Sequence, residues 1–310
     1  MKILILGAGG IGGYFGTQLV RAGADVTFLV RPKRKHLIDR DGLRIETPRG
    51  DFTVHPRTVT AAEVAPIYDL VILAPKAYDL EDALASVSRA QGHAVFLPLL
   101  NGISHLATLD QRFGRQRVMG GVAHIAAMIT ASGAIKQLTD LQSLTVGPRD
   151  AAHEVLARAF AESCKGAAFD CRYTDDIEQA LWDKWVFLAT LAGMTTVCQG
   201  SVGEIMATPY GEALTRQMFA ECCAVARESG HPIGRAAADK SVRMLTQQGS
   251  TFTASMLRDL QAGQQTEHEH ILGAMAQRGM ERGLPMDLIR LAHTHMAVRA
   301  GQLSRQSHSV

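Results

Sequence analysis

No apolar run in the chain approaches the roughly 20 residues a helix needs to cross a bilayer, and there is no repeat or low-complexity segment. Membrane insertion is therefore not expected. Charge of one sign is also missing: 32 basic against 30 acidic residues leave a formal net charge of +2. The bases are scattered along the chain, which argues against nucleic acid as a partner. Cysteine is sparse. Cys164, Cys171, Cys198, Cys222 and Cys223 are odd in number and never spaced C-x-x-C, so neither a disulfide framework nor a cysteine zinc site is expected. The chain enters an apolar run at Ile3 without a charged leader, and a reducing, cytoplasmic location is the expectation.

What is present is a globular composition, 46% hydrophobic and 20% charged over 310 residues, long enough for two domains. Up to about residue 100, buried-looking runs alternate with helix-length segments: Ile3 to Leu6, Val26 to Val30, Leu70 to Ala74 and Ala94 to Leu97. Runs apolar on both faces belong to a parallel sheet covered by helices, so the pattern predicts an α/β, doubly wound fold. Leu43, Ile45, Phe52 and Val54 flank a Pro48 to Asp51 turn and predict an inserted hairpin. Residues 121 to 146 predict further strands at the far side of the sheet. After Tyr173 the texture becomes helical. Asp175 or Asp176 can cap a helix with Ile177, Leu181, Trp185 and Leu188 on its apolar stripe. The expected domains are 1–173 and 174–310, with the polar end from Gln302 to Val310 fraying.

Gly7-Ala8-Gly9-Gly10-Ile11-Gly12 follows the first strand and opens a helix. In that setting Gly7 makes the tight turn, Gly9 admits a pyrophosphate and Gly12 lets helix and strand pack closely, a dinucleotide fingerprint. An NAD site places an acidic residue after the second strand, but here the residue is Arg31. Its guanidinium suits a 2′-phosphate, which predicts NADP (NADPH), with Lys33 or Arg34 as helpers. Lys76 stands at the carboxyl end of the third strand, where ligands collect in an open α/β sheet. Asn101-Gly102 follows the next strand to the same edge, and is equally well read as a turn.

Over nearly its full length the chain resembles the ketopantoate reductase (2-dehydropantoate 2-reductase) family. The resemblance rests on Gly7 to Gly12, Arg31, Pro75-Lys76-Ala77, Leu100-Asn101-Gly102, Leu181-Trp182-Asp183-Lys184, Ser255-Met256-Leu257 and Thr266-Glu267. It implies a Rossmann domain followed by an all-α domain of the 6-phosphogluconate dehydrogenase type, and NADPH-dependent reduction of a small-molecule 2-keto acid, with ketopantoate to pantoate the named reaction. It also implies Lys184 as catalytic residue and Ser255 and Glu267 at the substrate; Asn101, from its place at the crevice edge, where an amide can hold a catalytic side chain or a substrate oxygen, is expected at both substrate and cofactor. A homodimer stays open.

One departure bears on the substrate. Where the family places asparagines four and eight residues after its lysine, this chain has Leu188 and Ala192. Apolar walls discriminate less sharply than amides, which leaves two alternatives: a more apolar 2-oxo acid, or an NADPH sensor without catalysis. No metal is expected. His268 with His270, and His293 with His295, sit two residues apart and face different sides of a helix. Paired Cys222 and Cys223 are expected in the core.

Overall fold

Four of the five residues of strand β1 (Lys2–Leu6) are buried whichever way they point, as a central strand covered on both faces requires. In the computed structural model, which describes residues 1–90 and 92–307, β1 lies between β2 (Asp25–Leu29) and β6 (Leu70–Leu73). β5 (Arg57–Val59) extends the β2 side and β7 (Val95–Pro98) the β6 side, all parallel, in the order β5-β2-β1-β6-β7. Strand order thus reverses beside β1, and the carboxyl end of β1 opens where such sheets take ligands. Helices α1 (Gly10–Arg21), α2 (Pro32–Asp41), α3 (Leu80–Ser86) and α4 (Ser104–Phe113) alternate with these strands.

The expected hairpin is present as β3 (Leu43–Glu46) and β4 (Phe52–Val54), antiparallel with Leu43 opposite Val54 and Ile45 opposite Phe52. The later strands, β8 (Gly120–Ile129) and β9 (Ile135–Gly147), do not extend the first sheet as expected. They pair with each other, and the other edge of β9 is shared by β3 at Ile135–Lys136 and by β10 (Asp170–Tyr173) at Ser143–Val146, forming a second sheet. The cause is length: β9 is long enough to offer two pairing sites on one edge, and it covers the β3 edge of the hairpin, leaving β4 at the end of the sheet. Ile5, Phe15, Phe28, Ile72, Ile135 and Phe160 belong to one continuous core under both sheets.

The chain divides into two compact units. One is Met1–Leu100 with His105–Ala180, which includes α5 (Glu154–Ser163). The other is Asn101–Ser104 with the described chain from Leu181 onward. Helix α6 (Ile177–Cys198) runs across that division, and Asp176 caps it by accepting from the Gln179 amide at 3.1 Å. Asp175 instead meets Arg158 and the Tyr173 hydroxyl. The second unit continues through α7 (Val202–Met206), α8 (Gly211–Glu228), α9 (Arg235–Leu245), α10 (Ser255–Gln261), a π-helical turn (Glu269–Gly273), α11 (Ala274–Met280) and α12 (Asp287–Ser307). Trp185, Val186, Cys222, Leu272, Met275 and Met296 fill its core. Glu221 on α8 caps α12, accepting from the Leu288 and Ile289 amides at 3.1 Å each.

Helix α12 continues through Gln302 to Ser307 instead of fraying there, and residues 308–310 lie outside the described residues. All five cysteines are free thiols. Among the described residues no helix is long and apolar enough to cross a membrane.

Candidate active site

Chemistry in the first unit begins where β1 turns into α1. Gly7 adopts φ +92°, a conformation side chains rarely tolerate, and its amide donates to the Leu29 carbonyl of β2 at 3.0 Å. A Cβ on Gly12 would stand 2.5 Å from the Gly7 carbonyl oxygen and 3.1 Å from the Ala74 side chain, so the helix start lies tight against the strand ends. A Cβ on Gly9, the residue that caps α1, would meet nothing within 4 Å. Space is therefore open beside Gly9 at the start of α1, where the unpaired amides of a first helical turn and the helix dipole suit an anion such as a phosphate. Ala8, Gly10 and Ile11 complete the turn.

Beyond β2, Arg31 is the N-cap of α2, its carbonyl accepting from the Lys35 amide at 2.9 Å, and its exposed guanidinium makes no hydrogen bond or ion pair among the described residues. Its neighbours differ. Arg34 donates to the Gly133 carbonyl at 2.8 Å, and Lys35 is held by Asp39 and Thr58. Arg31 and exposed Lys33 are thus the two of these cations that can turn to a ligand. Half-buried Lys76 sits three residues beyond β6, and its carbonyl accepts from the Asp79 amide to start a 3₁₀ turn.

Within the second unit, three distant stretches of sequence meet. Lys184 Nζ donates to Asn101 Oδ1 at 3.0 Å, and Asn101 Nδ2 donates to Glu267 Oε2 at 3.2 Å. Glu267 is only 4% exposed, although it is acidic. Burial lowers the Lys184 amine to about 8, against the opposing pull of the Glu267 carboxylate. An amine so placed exchanges a proton near neutral pH, and Asn101 fixes its direction while the carboxylate supplies an acceptor. The positive φ of Gly102, +74°, lets the chain turn directly after Asn101, with the His270 carbonyl 3.0 Å from where a Cβ would be. Asn101-Gly102 is therefore both a turn and a polar contact. Ser255, half-buried, opens α10; no contact of it with Lys184 or Glu267 is observed.

The sequence gives Trp185 only a packing role. In the structure it is fully buried and its indole N–H donates to the Ile271 carbonyl at 3.1 Å, inside the π-helical turn that follows Glu267. Such turns leave backbone groups in need of partners, and Trp185, next to Lys184 in the chain, meets this need. The available signal was compositional: the chain has two tryptophans, and Trp182 and Trp185 flank Lys184.

Comparison with known proteins now decides the family. The model described as Ketopantoate reductase PanE/ApbA matches residues 3–151, and Ketopantoate reductase PanE/ApbA C terminal matches residues 176–299. The chain belongs to the ketopantoate reductase family. It is an oxidoreductase of that family. An uncharacterized oxidoreductase, YkpB, of Bacillus subtilis is 32% identical over 297 residues, covering 96% of this chain and 98% of the relative. The 2-dehydropantoate 2-reductase of Halobacterium salinarum is 25% identical over 293 residues, 94% of this chain and 96% of that one. Among solved structures, 2-dehydropantoate 2-reductase from Geobacter metallireducens superposes with a TM-score of 0.86 at 28% identity, covering 96% of this chain and 99% of that chain.

Against the ketopantoate reductase pattern, the two departures on α6 are unlike each other. Ala192 is completely buried, and its carbonyl accepts from the Thr196 hydroxyl at 2.6 Å. Leu188, one turn after Lys184, is half-buried and is the one that remains within reach of solvent. The histidine pairs also behave differently from expectation. His268, Glu269 and His293 bring ligand atoms to within 4.8 Å of one another, because one residue of each pair takes part and the two segments fold together.

Proposed function

We propose that this ketopantoate reductase family member reduces a 2-keto acid to the 2-hydroxy acid with NADPH, ketopantoate being the first candidate substrate. The observation that carries this reading is the Lys184 amine, lowered to about 8 and held by Asn101 beside buried Glu267. The glycine turn with its open face at Gly9 fits the pyrophosphate of a dinucleotide, and exposed Arg31 fits a 2′-phosphate. Lys76 and Asn101 are assigned to the cofactor on their positions after β6 and β7.

When bound, the dinucleotide supplies the hydride. The residues of the chain do the rest. Reduction of a ketone leaves negative charge on the carbonyl oxygen, and the Lys184 ammonium stabilises that charge and gives up its proton to it. Asn101 Oδ1 keeps the ammonium aimed. Glu267 accepts from a substrate hydroxyl, and Ser255 donates to the substrate carboxylate, a hydroxyl and a carboxylate being what ketopantoate offers. A carboxylate as deeply covered as Glu267 is costly unless it has such partners.

Leu188 supports a second reading within the same chemistry. A half-buried leucine one turn from the proton donor favours a keto acid with an apolar substituent over one read by an amide. Loss of NADPH absorbance with ketopantoate, branched-chain and aromatic 2-keto acids, each with Lys184→Ala as control, tests both readings. The expected result is turnover that needs Lys184 and is highest with ketopantoate. A clear preference for a branched or aromatic acid replaces ketopantoate with the apolar reading. Tight NADPH binding with no turnover of any acid overturns the catalytic assignment and leaves a sensor.

A further inference from the structure

The turn that follows Glu267 carries a cluster that proton transfer to a keto acid does not use. Glu269 stands between two imidazoles: its Oε1 lies 3.3 Å from His268 Nε2 and its Oε2 lies 3.0 Å from His293 Nε2. We propose that His268, Glu269 and His293 form a binding site for a divalent first-row transition-metal ion, with zinc the ion to be tested.

Four observations support it. First, the donor set is two imidazoles and one carboxylate, a combination that suits zinc and its neighbours and not magnesium or calcium, which prefer oxygen alone. Second, the spacing is close to what an ion needs: metal–ligand bonds of 2.0–2.1 Å in a tetrahedron put ligand atoms about 3.3 Å apart. The two His–Glu separations, 3.3 Å to Oε1 and 3.0 Å to Oε2, are near that value but belong to different carboxylate oxygens; with one oxygen as ligand, the three donor atoms lie within 4.8 Å of one another, and rotation of the exposed carboxylate and of the rings closes the remainder. The two rings lie 5.9 Å apart between centroids and are tilted by 31°.

Third, the ligands have supports of their own. Thr266 Oγ1 lies 2.9 Å from His268 Nδ1. With Nδ1–H donating to that hydroxyl, the Nε2 lone pair faces Glu269, the outer-sphere arrangement that orients metal-bound histidines. His293 is carried by α12, whose start is capped by Glu221 and whose Ala292 and Met296 are fully buried. Fourth, the space is kept clear by a residue without a side chain. A Cβ on Gly273 would lie 2.9 Å from Glu269 Oε2 and 3.0 Å from His293 Nε2.

Access and an open coordination position are also provided. The His268 and His293 side chains are 11% and 28% exposed, whereas Glu269 is 61% exposed, so the carboxylate offers the entry route. Beside it opens a cavity of about 600 Å³ to which Glu269, His270, Gly273, Gln277, Arg290 and His293 contribute, with room for water as the fourth ligand. Because His268 and Glu269 directly follow Glu267, an ion here ties to α12 the turn that presents Glu267 to Asn101. Its role is to hold that turn, separate from the reduction chemistry.

The test uses tag-free, chelator-treated full-length protein. Cobalt(II) is titrated by its visible absorption and displaced by zinc, and zinc binding is measured by calorimetry alongside thermal unfolding. One ion per chain with micromolar or tighter affinity is expected, with a zinc-dependent rise in Tm, since a ligand that binds only the folded state stabilises it. His293→Gln and Glu269→Gln should each abolish the stoichiometric site, and Thr266→Val should weaken it about tenfold. If His293→Gln disturbs the circular dichroism spectrum, Glu269→Gln, at an exposed position, decides the matter. Absence of stoichiometric binding to the wild-type protein, or undiminished binding by a folded Glu269→Gln variant, overturns the proposal.

Discussion

The glycine turn of the first unit and the Lys184 cluster of the second are built from different materials. The turn is backbone: a positive φ at Gly7, a close approach at Gly12 and open space at Gly9, all within six consecutive residues. The cluster is side chains, drawn from positions 83 and 166 residues apart in the chain. Backbone sites bind through geometry that any added carbon disturbs. Side-chain clusters act through charge, and their surroundings set that charge. Perturbing each should therefore affect a different measurement.

The largest effect is expected at Lys184. Lys184→Ala should lower kcat by about 10²–10⁴, the usual contribution of a general acid, while NADPH affinity, followed by its fluorescence, stays as it was. The pH dependence should move with it. With the amine at about 8, the ammonium that reduction needs is present at pH 7 and is lost as pH rises through 8, so keto acid reduction declines on the alkaline side and oxidation of the hydroxy acid rises there. Stability has its own sign. The folded pKa lies below the unfolded value, so between about pH 8 and 10.5 the unfolded chain binds the extra proton, and stability rises across that window. Lys184→Ala should flatten both profiles. A matching loss of NADPH affinity would break the separation between the two regions.

A smaller effect, on binding and stability, is expected at Gly12. In Gly12→Val the new Cβ meets the Gly7 carbonyl oxygen at 2.5 Å, and backbone cannot rotate away as a flexible side chain can. Urea unfolding should show a loss of about 1–3 kcal/mol, the usual cost of forcing atoms into a filled space, together with a higher KM for NADPH. At saturating cofactor, kcat should be largely retained. A variant that binds NADPH normally but turns over slowly would show that the turn acts on chemistry as well as on binding.

The same difference in material decided what was legible in the sequence. A backbone site is contiguous, so Gly7 to Gly12 and the strand before it could be read together, as could the β3–β4 hairpin around Pro48 and Asp51. The pairing of β9 with β3 and β10 joins segments far apart in the chain, and no local pattern records it. For Lys184, Asn101 and Glu267, residue chemistry alone left surface and turn readings open, and only the family resemblance singled them out. Trp185 reads as core because its apolar ring dominates the pattern, while the Ile271 carbonyl it donates to lies in the π-helical turn Glu269–Gly273, 86 residues further along the chain. Spacing along a single helix separates His268 from His270 and His293 from His295, whereas the cluster uses one residue from each of the two segments.

Arg31 sharpens the comparison because it brings a charged side chain to a site whose phosphate-binding turn is built from backbone. It is exposed and uncommitted, whereas Arg34 is tied to Gly133, so removing it should cost the fold almost nothing. Hydrogen bonds to a charged group are worth about 1.5–3 kcal/mol, which corresponds to roughly tenfold to a hundredfold in affinity. Arg31→Ala should therefore raise the KM for NADPH by about that factor, leave the KM for NADH and the unfolding midpoint unchanged, and leave the alkaline limb of the pH profile in place. Equal losses with both cofactors would mean that Arg31 serves the pyrophosphate or the helix start and not a 2′-phosphate, and the cofactor preference would then have to be sought at Lys33 or Lys76.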